Sequence, residues 1–218
     1  GYEGGGVICF RDLCLYYPKN NLCCYAVWSP DWGVPTQELN WLPIAYGTPP
    51  RDRPIGRFGR SFERLSVSLV HQYAKRVQTP TLIEQAVEFG TQQGVEMVWA
   101  VLNRPTLIYM AREVATKLGV QLVTQVWDAP ECLANLDRFS YGSLLHEFGN
   151  VQRTAVRCGV VSEGMQNEYE KRYNVECVIL RHGIQPNKRK PPAKGPTEKG
   201  QFVIGYAGSL YAVREWQA

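Results

Sequence analysis

One acidic side chain, Asp128, stands where a ligand-binding group is expected in an open sheet. Val120–Trp127 is an apolar run of strand length, and Asp128 follows it directly, just before Pro130. In open α/β sheets, ligands bind beyond the carboxyl ends of the strands. A carboxylate in this position can accept a hydrogen bond from a sugar hydroxyl or orient an acceptor, whereas the alternative is that Asp128 or Glu131 caps a turn. Asp128 is therefore the predicted catalytic residue.

Two glycine-containing turns are candidates for binding phosphate groups. The first precedes a predicted helix over Val7–Tyr17, and the second follows an apolar run over Phe202–Tyr206. Glycine lets backbone N–H groups approach a ligand closely, and a helix N-terminus favours an anion. The first turn lacks the clean G-x-G-x-x-G spacing with an acidic residue about 20 positions later, which disfavours a nicotinamide site. The alternatives are a flexible chain start and a tight turn. The residues predicted to bind ligand here are Gly4, Gly5, Gly6, Gly208, Ser209 and Arg214.

Two further polar residues follow predicted strands. Ser162 comes after the apolar run Cys158–Val161 and stands where the N-cap of a helix over Glu163–Tyr173 belongs. Capping is the first expectation for Ser162, but the same position can also help to present backbone amides to a ligand, because Gly164 leaves the approach open. His182 follows another apolar run and is predicted to line a crevice between domains or, alternatively, to be a solvated linker residue.

The elements that would position these residues alternate along the chain. Apolar runs of strand length are separated by segments in which apolar residues recur every three or four positions, the period of a helix. Such alternation predicts an α/β fold: a Rossmann-like parallel sheet with helices on both faces. The predicted strands are Leu22–Trp28, Val95–Leu102, Val120–Trp127, Cys158–Val161, Val175–Leu180 and Phe202–Tyr206. The predicted helices are Val7–Tyr17, a segment from Ser61 to Val77, a segment from Thr79 to Gly90 or Gly94, Pro105–Leu118, Tyr141–Arg157 and Glu163–Tyr173.

Two segments of the chain have a character of their own. Residues 29–60 are rich in Pro, Gly and Trp and have no clear period, so we predict a long irregular excursion, a feature that is often functional. The helix that begins at Ser61 carries its apolar residues on one stripe, which is typical of a helix that packs one face on a core. The residues of this stripe are Phe62, Leu65, Leu69, Val70, Tyr73 and Val77.

Composition places the chain among ordinary globular proteins and excludes several classes. It has 218 residues, of which 44% are hydrophobic and 20% are charged, close to the globular averages. The net charge is +4, and the basic excess is concentrated in residues 181–200, a Pro- and Lys-rich run with six basic residues and one acidic residue. Because a nucleic-acid-binding protein carries its basic stripe on the folded domain, the sequence predicts no nucleic-acid partner.

Cysteine usage and the basic run predict the compartment and the domain limits. The seven cysteines form no C-x-x-C pair, so a reduced compartment without disulfides is expected. The three histidines show no metal-ligand spacing, and no metal site is predicted. The expected organisation is a domain over 1–184, a basic Pro-rich linker over 185–200 and the start of a second domain over 201–218. A first residue other than Met, and no strand before Gly4, predict an internal piece of a longer protein.

Several segments resemble family 4 glycosyltransferases of the GT-B superfamily. The run CGVVSEGMQNEYEKRYNVECVILRHGI over 158–184 resembles the end of their N-terminal domain: a short strand ending in Ser, a helix with a Tyr near its end, then a strand running into a Gly-Ile or Gly-Val turn. FVIGYAGSL over 202–210 resembles the first strand and glycine loop of their C-terminal domain. The opening glycine run resembles their N-terminal glycine loop, and VTQVWDAPE over 123–131 resembles the strand end that faces acceptor or sugar.

This resemblance implies two Rossmann-like domains facing across a cleft and a place in carbohydrate biosynthesis. It implies transfer of a sugar from a nucleotide diphosphate sugar to a glycan, lipid or small-molecule acceptor, usually with retention of configuration and with no metal or other cofactor required. The chain differs from the family at His182, where Asn is common before Gly-Ile or Gly-Val, and at Ser209, where a basic residue is frequent and Arg214 would substitute. The family's paired glutamates are expected beyond Ala218.

Two alternatives to transferase activity stay open: a non-catalytic GT-B half that binds a glycan or a partner, and a sugar-nucleotide epimerase of the same architecture. An oxidoreductase is disfavoured by the glycine spacing. The fragment alone is expected not to transfer sugar, because the implied donor site belongs to the second domain. A cytoplasmic location is expected. Peripheral contact of Lys188–Lys199 with anionic lipid at the inner face of a membrane is an alternative to a solvated hinge.

Overall fold

The structure, a computed structural model, describes residues 11, 13–27, 39–49, 69, 71–133 and 138–181. They lie within the first of the two units into which the chain divides, Gly1–His182. The helix predicted over Val7–Tyr17 falls partly within them, and residues 11 and 13–16 are helical. The predicted linker and second domain lie outside the described residues, so the domain boundary stays a prediction.

The described residues form two parallel sheets and a row of helices. The strands are β1 Cys24–Val27, β2 Ile44–Gly47, β3 Met97–Val101, β4 Gln121–Gln125, β5 Arg157–Val160 and β6 Cys177–Ile179. The helices are α1 Thr79–Gln93, which continues a π-helix over Ala74–Gln78, α2 Pro105–Leu118, α3 Arg138–Thr154 and α4 Glu163–Tyr173, with a 3-10 turn over Pro130–Leu133. β1 pairs with β2, and the other strands form a four-stranded sheet in the order β3-β4-β5-β6, every pair being parallel.

This alternation confirms the predicted α/β fold with a Rossmann-like parallel sheet. Each of α2, α3 and α4 connects two neighbouring strands of the four-stranded sheet, and the helices pack side by side, α1 on α2, α2 on α3 and α3 on α4. Because right-handed crossovers between successive neighbours place their helices on the same side, α2, α3 and α4 cover one face of this sheet.

The ends of α2 follow directly from its sequence. Pro105 occupies the first helical position, where the missing N–H needs no partner and the fixed φ suits the helix. Gly119 ends the helix with a φ of 69°, a left-handed conformation that favours glycine. The prediction of a helix over Pro105–Leu118 is therefore confirmed at both ends.

Two apolar clusters hold the layers together. The larger lies between the four-stranded sheet and the helices α2, α3 and α4. At its centre the Phe148 ring meets the rings of Tyr169 and Tyr173 edge to face. Phe148 has no exposed surface, and burial of such a side chain contributes about 1.5–3 kcal/mol. The smaller cluster lies between α1 and α2, with Tyr25 and Val27 of β1 packed against it. Its buried members are Leu82, Ile83, Ala86, Met110 and Val114.

Two predictions of secondary structure differ from the structure. The stretch 29–60, predicted as irregular, contains the strand β2, and its four residues are too few to show a period. The helix predicted over Tyr141–Arg157 ends at Thr154. The chain leaves the helix there because the N–H of Val156 already donates to the carbonyl of Leu122 on β4, at 2.8 Å, and Arg157 begins β5.

The apolar stripe predicted on the helix before α1 also differs from expectation. Leu69, Tyr73 and Val77 are exposed, so this part of the stripe faces solvent rather than a core. The helix contacts the rest of the domain through its polar residues instead, because the surface that it meets on α2 and α3 offers hydrogen-bonding partners.

Candidate functional site

The carboxyl ends of four strands meet at one edge of the larger sheet, because β3, β4, β5 and β6 are parallel neighbours. Asp128 follows β4, Ser162 follows β5, Arg104 follows β3 and Arg181 follows β6. We call these residues the carboxyl-edge site. The structure thus places Asp128 and Ser162, the two described residues that the sequence nominated for ligand binding, on the same edge.

Asp128 is held at the surface by the buried residues around it. After β4 the N–H of Val126 donates to the carbonyl of Gly159, at 2.9 Å, and Val126 has no exposed surface. Pro130 is buried and begins the 3-10 turn. Between them, Asp128 is exposed, and within the described part of the chain no hydrogen bond or ion pair involves its carboxylate. Its oxygens therefore face solvent or a ligand, and the alternative role as a turn cap is not what the structure shows.

Ser162 caps helix α4. Its backbone is extended, with φ −149° and ψ 159°, and its Oγ accepts a hydrogen bond from the backbone N–H of Met165, at 3.2 Å. The first turn of the helix is open, because a Cβ built on Gly164 would meet only the Oγ of Ser162, at 3.9 Å. The unpaired N–H groups of a first helical turn and the helix dipole favour an anion at this position. Ser162 thus has the structural role that the sequence favoured, and it also fixes an amide-lined helix end at the site.

An ion pair between Arg181 and Glu163 closes the β6 side of the site. The hydrogen bond from Arg181, together with a bond from the backbone of Glu163 itself and the opposite charge, lowers the pKa of the Glu163 carboxyl below its usual value. The same pair raises the pKa of Arg181. The guanidinium is thereby held next to the N-terminus of α4.

Each strand of the larger sheet is therefore followed at its carboxyl end by a polar group of different charge or hydrogen-bonding type. A carboxylate such as Asp128 accepts hydrogen bonds from hydroxyl groups, whereas guanidinium groups and helix amides bind phosphate or carboxylate oxygens. Arg104 and Arg181 follow the two outer strands, β3 and β6, and the carboxylate and the helix end follow the two strands between them. This arrangement can bind a ligand that carries both hydroxyl and anionic groups and can orient one of its hydroxyls.

A second group of polar side chains lies on the helix layer. His71, Lys75, Tyr109 and Ser143 form what we call the helix-face cluster. The Nζ of Lys75 donates to the Oγ of Ser143 at 2.8 Å and lies 4.5 Å from the centre of the Tyr109 ring, while the Tyr109 hydroxyl meets the Nε2 of His71 at 3.0 Å. Burial raises the pKa of Tyr109 to about 12, so that the phenol is protonated at neutral pH.

The helix-face cluster borders a cavity of about 180 Å³ between α1, α2 and α3. Ion pairs flank it: Arg112 with Glu147 at 3.2 Å, and Lys117 with Glu84 at 2.6 Å. The cations are thus bonded either to carboxylates or, for Lys75, to a hydroxyl and an aromatic ring. Because these groups satisfy one another, the cluster is a structural connection between three helices rather than a set of groups prepared for a substrate.

Sequence reasoning nominated more residues than the structure describes. Asp128 and Ser162 are placed as above, and their roles toward a ligand stay predictions. Arg104 and Arg181 were not nominated as site residues, although each follows an apolar run of strand length, the same signal that pointed to Asp128. The nominated residues that lie outside the described part of the chain, and so stay predictions, are Gly4, Gly5, Gly6, His182, Gly208, Ser209 and Arg214.

Within the described ranges, no group of three or more His, Cys, Asp or Glu side chains could hold a metal ion. None of the helices described above combines the length and the apolar character that a membrane crossing requires. Cys158 on β5 and Cys177 on β6 are opposite each other in the strand register. Both are free thiols and both are buried, and burial raises the pKa of Cys158 to about 12. This thiol is therefore not ionised at neutral pH, which makes it unreactive.

Comparisons with known proteins give one structural neighbour to report. No protein-family model matches the chain, and no curated protein matches it significantly. The neighbour is UGT73P12 of Glycyrrhiza uralensis, solved in complex with glycyrrhetinic acid 3-O-monoglucuronide, with a TM-score of 0.37 and 9% sequence identity. The match covers 63% of this chain and 36% of the neighbour, so the chain spans little more than a third of that protein's length.

Proposed function

We propose that this chain is the acceptor-side half of a GT-B glycosyltransferase that transfers a sugar from a nucleotide diphosphate sugar to a glycan, lipid or small-molecule acceptor. The activity belongs to the whole protein, with the donor pocket in the second domain. The proposal places the acceptor at the carboxyl-edge site, where Asp128 and the first turn of α4 lie on neighbouring strand ends.

The observation that carries the proposal is the unit β5–Ser162–α4–β6. This is the segment whose sequence resembles the glycosyltransferases, and it has the local structure expected from that resemblance: a short strand, a capping serine, a helix and a further parallel strand. Tyr169 and Tyr173 on α4 pack against Phe148. These contacts hold the helix on the sheet with its N-terminus at the carboxyl edge, where a ligand of an open α/β sheet binds.

The proposed reaction exchanges one bond at the anomeric carbon of the donor sugar. The bond from this carbon to the diphosphate oxygen breaks, the acceptor hydroxyl oxygen forms the new bond on the same face of the sugar, and the hydroxyl proton passes to the leaving diphosphate. Asp128 accepts the hydrogen bond from the acceptor hydroxyl and orients it toward the sugar. Fixed N–H donors and cations stabilise the charge that develops on the leaving diphosphate. On this chain the candidates for that role are the first turn of α4 and the turn Gly4-Gly5-Gly6, and retention of configuration is the expected outcome.

Product analysis with the whole protein tests this proposal. The protein is incubated with radiolabelled UDP- and GDP-sugars, with and without a mixture of glycan and lipid acceptors, and the labelled products are separated. We expect label to move to an acceptor and free nucleotide diphosphate to appear. Asp128→Asn should lower turnover on the order of a hundredfold, because the acceptor hydroxyl loses the carboxylate that orients it toward the sugar.

The matched control is Glu176→Gln. Glu176 is an exposed carboxylate next to the opposite, amino end of the same sheet, where it pairs with Arg157 at 2.8 Å. Its replacement should leave turnover unchanged. Label that changes sugar identity while it stays on the nucleotide would indicate an epimerase. Binding of a glycan without turnover would indicate a non-catalytic half. Either result contradicts the proposed transfer, whereas equal turnover of the Asn and Gln variants contradicts the role of Asp128.

A further inference from the structure

Helix α4 buries a tyrosine hydroxyl that has no hydrogen-bond partner. Tyr169 is 2% exposed, and its ring meets the rings of Phe148 and Tyr173 edge to face. Burial raises the pKa of Tyr169, so its hydroxyl is protonated at neutral pH and needs an acceptor. Within the described part of the chain, no group forms a hydrogen bond with this hydroxyl. The closed packing of α4 is therefore destabilised, because the hydroxyl loses water on folding and gains nothing in return.

A second unpaired group lies on the neighbouring helix, in the same part of the core. Gln152 on α3 has no exposed surface and stands one turn after Phe148. Its Oε1 accepts a hydrogen bond from the Oγ1 of Thr124 on β4, at 2.9 Å, but its Nε2 has no partner among the described residues. The interior between the sheet, α3 and α4 thus contains two polar atoms that would form hydrogen bonds if water reached them.

The buried tyrosine of α2 is in the opposite situation. The hydroxyl of Tyr109 meets the Nε2 of His71 at 3.0 Å. Displacement of α2 would break this hydrogen bond, whereas displacement of α4 would allow the Tyr169 hydroxyl to form one with water. We therefore expect a local displacement of α4 to need less free energy than a displacement of α2.

The two sides of α4 are held by different kinds of contact. On the side of β6, the Nε2 of Gln166 donates to the carbonyl of Cys177 at 3.1 Å, and the N–H of Cys177 donates to the Oε1 of Glu170 at 3.3 Å. On the other side, the polar contact to the 3-10 turn is an exposed ion pair between Arg172 and Glu131, at 3.8 Å. Exposed ion pairs contribute little, so this side depends on apolar contacts, which are non-directional.

We propose that α4 is a hinged flap, which pivots about its hydrogen bonds to β6 and away from α3, so that water reaches the Tyr169 hydroxyl and the Gln152 amide. The closed position is the one described above, and burial of the aromatic rings stabilises it. Opening displaces Ser162 and the first turn of α4 from Asp128, so the flap assembles and disassembles the carboxyl-edge site. This inference concerns the motion of the helix and does not depend on the proposed transferase activity.

Amide hydrogen exchange of the whole protein, without added ligand and at increasing low concentrations of urea, tests the inference. The amides of α4 should exchange faster than those of α2 and depend less on urea, because a local opening exposes little surface. Tyr169→Phe removes the unpaired hydroxyl and keeps the ring, so opening no longer gains a hydrogen bond with water. We expect the amides of α4 to exchange about fivefold more slowly in this variant.

The matched control is Tyr173→Phe, on the same helix and against the same Phe148 ring. The hydroxyl of Tyr173 is not among the buried groups that lack a partner, so its removal should not slow the exchange of α4. Circular dichroism checks that both variants are folded. Unchanged or faster exchange in Tyr169→Phe overturns the inference, and so does equal slowing by both variants. A urea dependence of α4 as steep as that of α2 also overturns it, because the helix would then open only when the whole domain unfolds.

Discussion

The carboxyl-edge site leaves the Asp128 carboxylate open, whereas the polar side chains of the helix-face cluster are bonded to one another. At the edge, Asp128 is exposed and has no partner among the described residues, and Gly164 leaves the first turn of a helix open. On the helix layer, Lys75, Tyr109 and Ser143 bond to one another. Polar side chains that form hydrogen bonds with one another stabilise the fold, whereas a polar side chain without a partner in the fold can bind a ligand. We therefore place the chemistry at the carboxyl edge and not at the cavity that the helix-face cluster borders.

The largest expected effect is on the free energy of unfolding, which a substitution in the helix-face cluster should lower much more than a substitution in the carboxyl-edge site. Tyr109→Ala should lower the free energy of unfolding by about 3–5 kcal/mol, because a buried aromatic ring is lost from the core. Asp128→Ala should change it by less than about 0.5 kcal/mol, as expected for a surface residue without partners. Urea unfolding measures both. A large loss of stability in Asp128→Ala would remove the distinction between the two regions.

The stability of the fold at alkaline pH tests whether the Tyr109 hydroxyl of the helix-face cluster is as buried as the structure shows. The pKa of Tyr109 is raised from 10 to about 12 in the fold, so its stabilising contribution is complete below pH 10 and is lost as the pH rises toward 12. At about 1.4 kcal/mol for each pKa unit, full ionisation of Tyr109 in the fold lowers the free energy of unfolding by an amount on the order of 2–3 kcal/mol.

Tyr109→Phe removes the titrating hydroxyl and keeps the ring. We expect a loss of about 1 kcal/mol at neutral pH, because the hydrogen bond to His71 disappears. Between pH 10 and 12 the variant should lose less stability than the wild type. Parallel curves of stability against pH for the two proteins would show that Tyr109 is not the titrating group.

A smaller effect is expected at the helix end of the carboxyl-edge site. Ser162→Ala should lower the free energy of unfolding by about 1 kcal/mol, because the N–H of Met165 loses its acceptor. Ser162→Asp keeps an acceptor and should restore most of the loss. If the alanine and aspartate variants unfold at the same urea concentration, the capping role is wrong.

The smallest effect concerns the ion pair between Glu163 and Arg181. The pKa of Glu163 is lowered in the fold, so its contribution to stability is present above the ordinary value of 4.5 and is lost as the pH falls below it. Glu163→Gln should make the acid side of the stability curve slightly flatter, and salt should weaken the difference because both side chains are exposed. A steeper acid dependence in the variant would contradict this sign.

Much of the fold could be predicted where a residue determines the start or end of its own helix. Pro105 and Gly119 define α2 at both ends, and Ser162 defines the start of α4, because these residues act on their own backbone. The position of Asp128 could be predicted as well, since a polar residue directly after an apolar strand of a parallel sheet lies at the carboxyl edge. These predictions needed no knowledge of tertiary contacts.

The features that could not be predicted depend on contacts distant in sequence. β2 is only four residues long, and it exists because it pairs with β1. The periodicity of Leu69, Tyr73 and Val77 correctly gives a helix, but it cannot show which side faces the core. That side is set by Tyr109 and Ser143, which lie on other helices and offer hydrogen bonds to the polar face.

Amide hydrogen exchange of the whole protein, with and without the nucleotide sugar and acceptor that support turnover, tests the central claim most directly. If the carboxyl edge binds substrate, protection should appear in the loop that holds Asp128 and in the first turn of α4. The helix layer around Lys75 and Tyr109 should exchange as it does in the free protein. Protection on that helix layer, with no change at the carboxyl edge, would contradict the account.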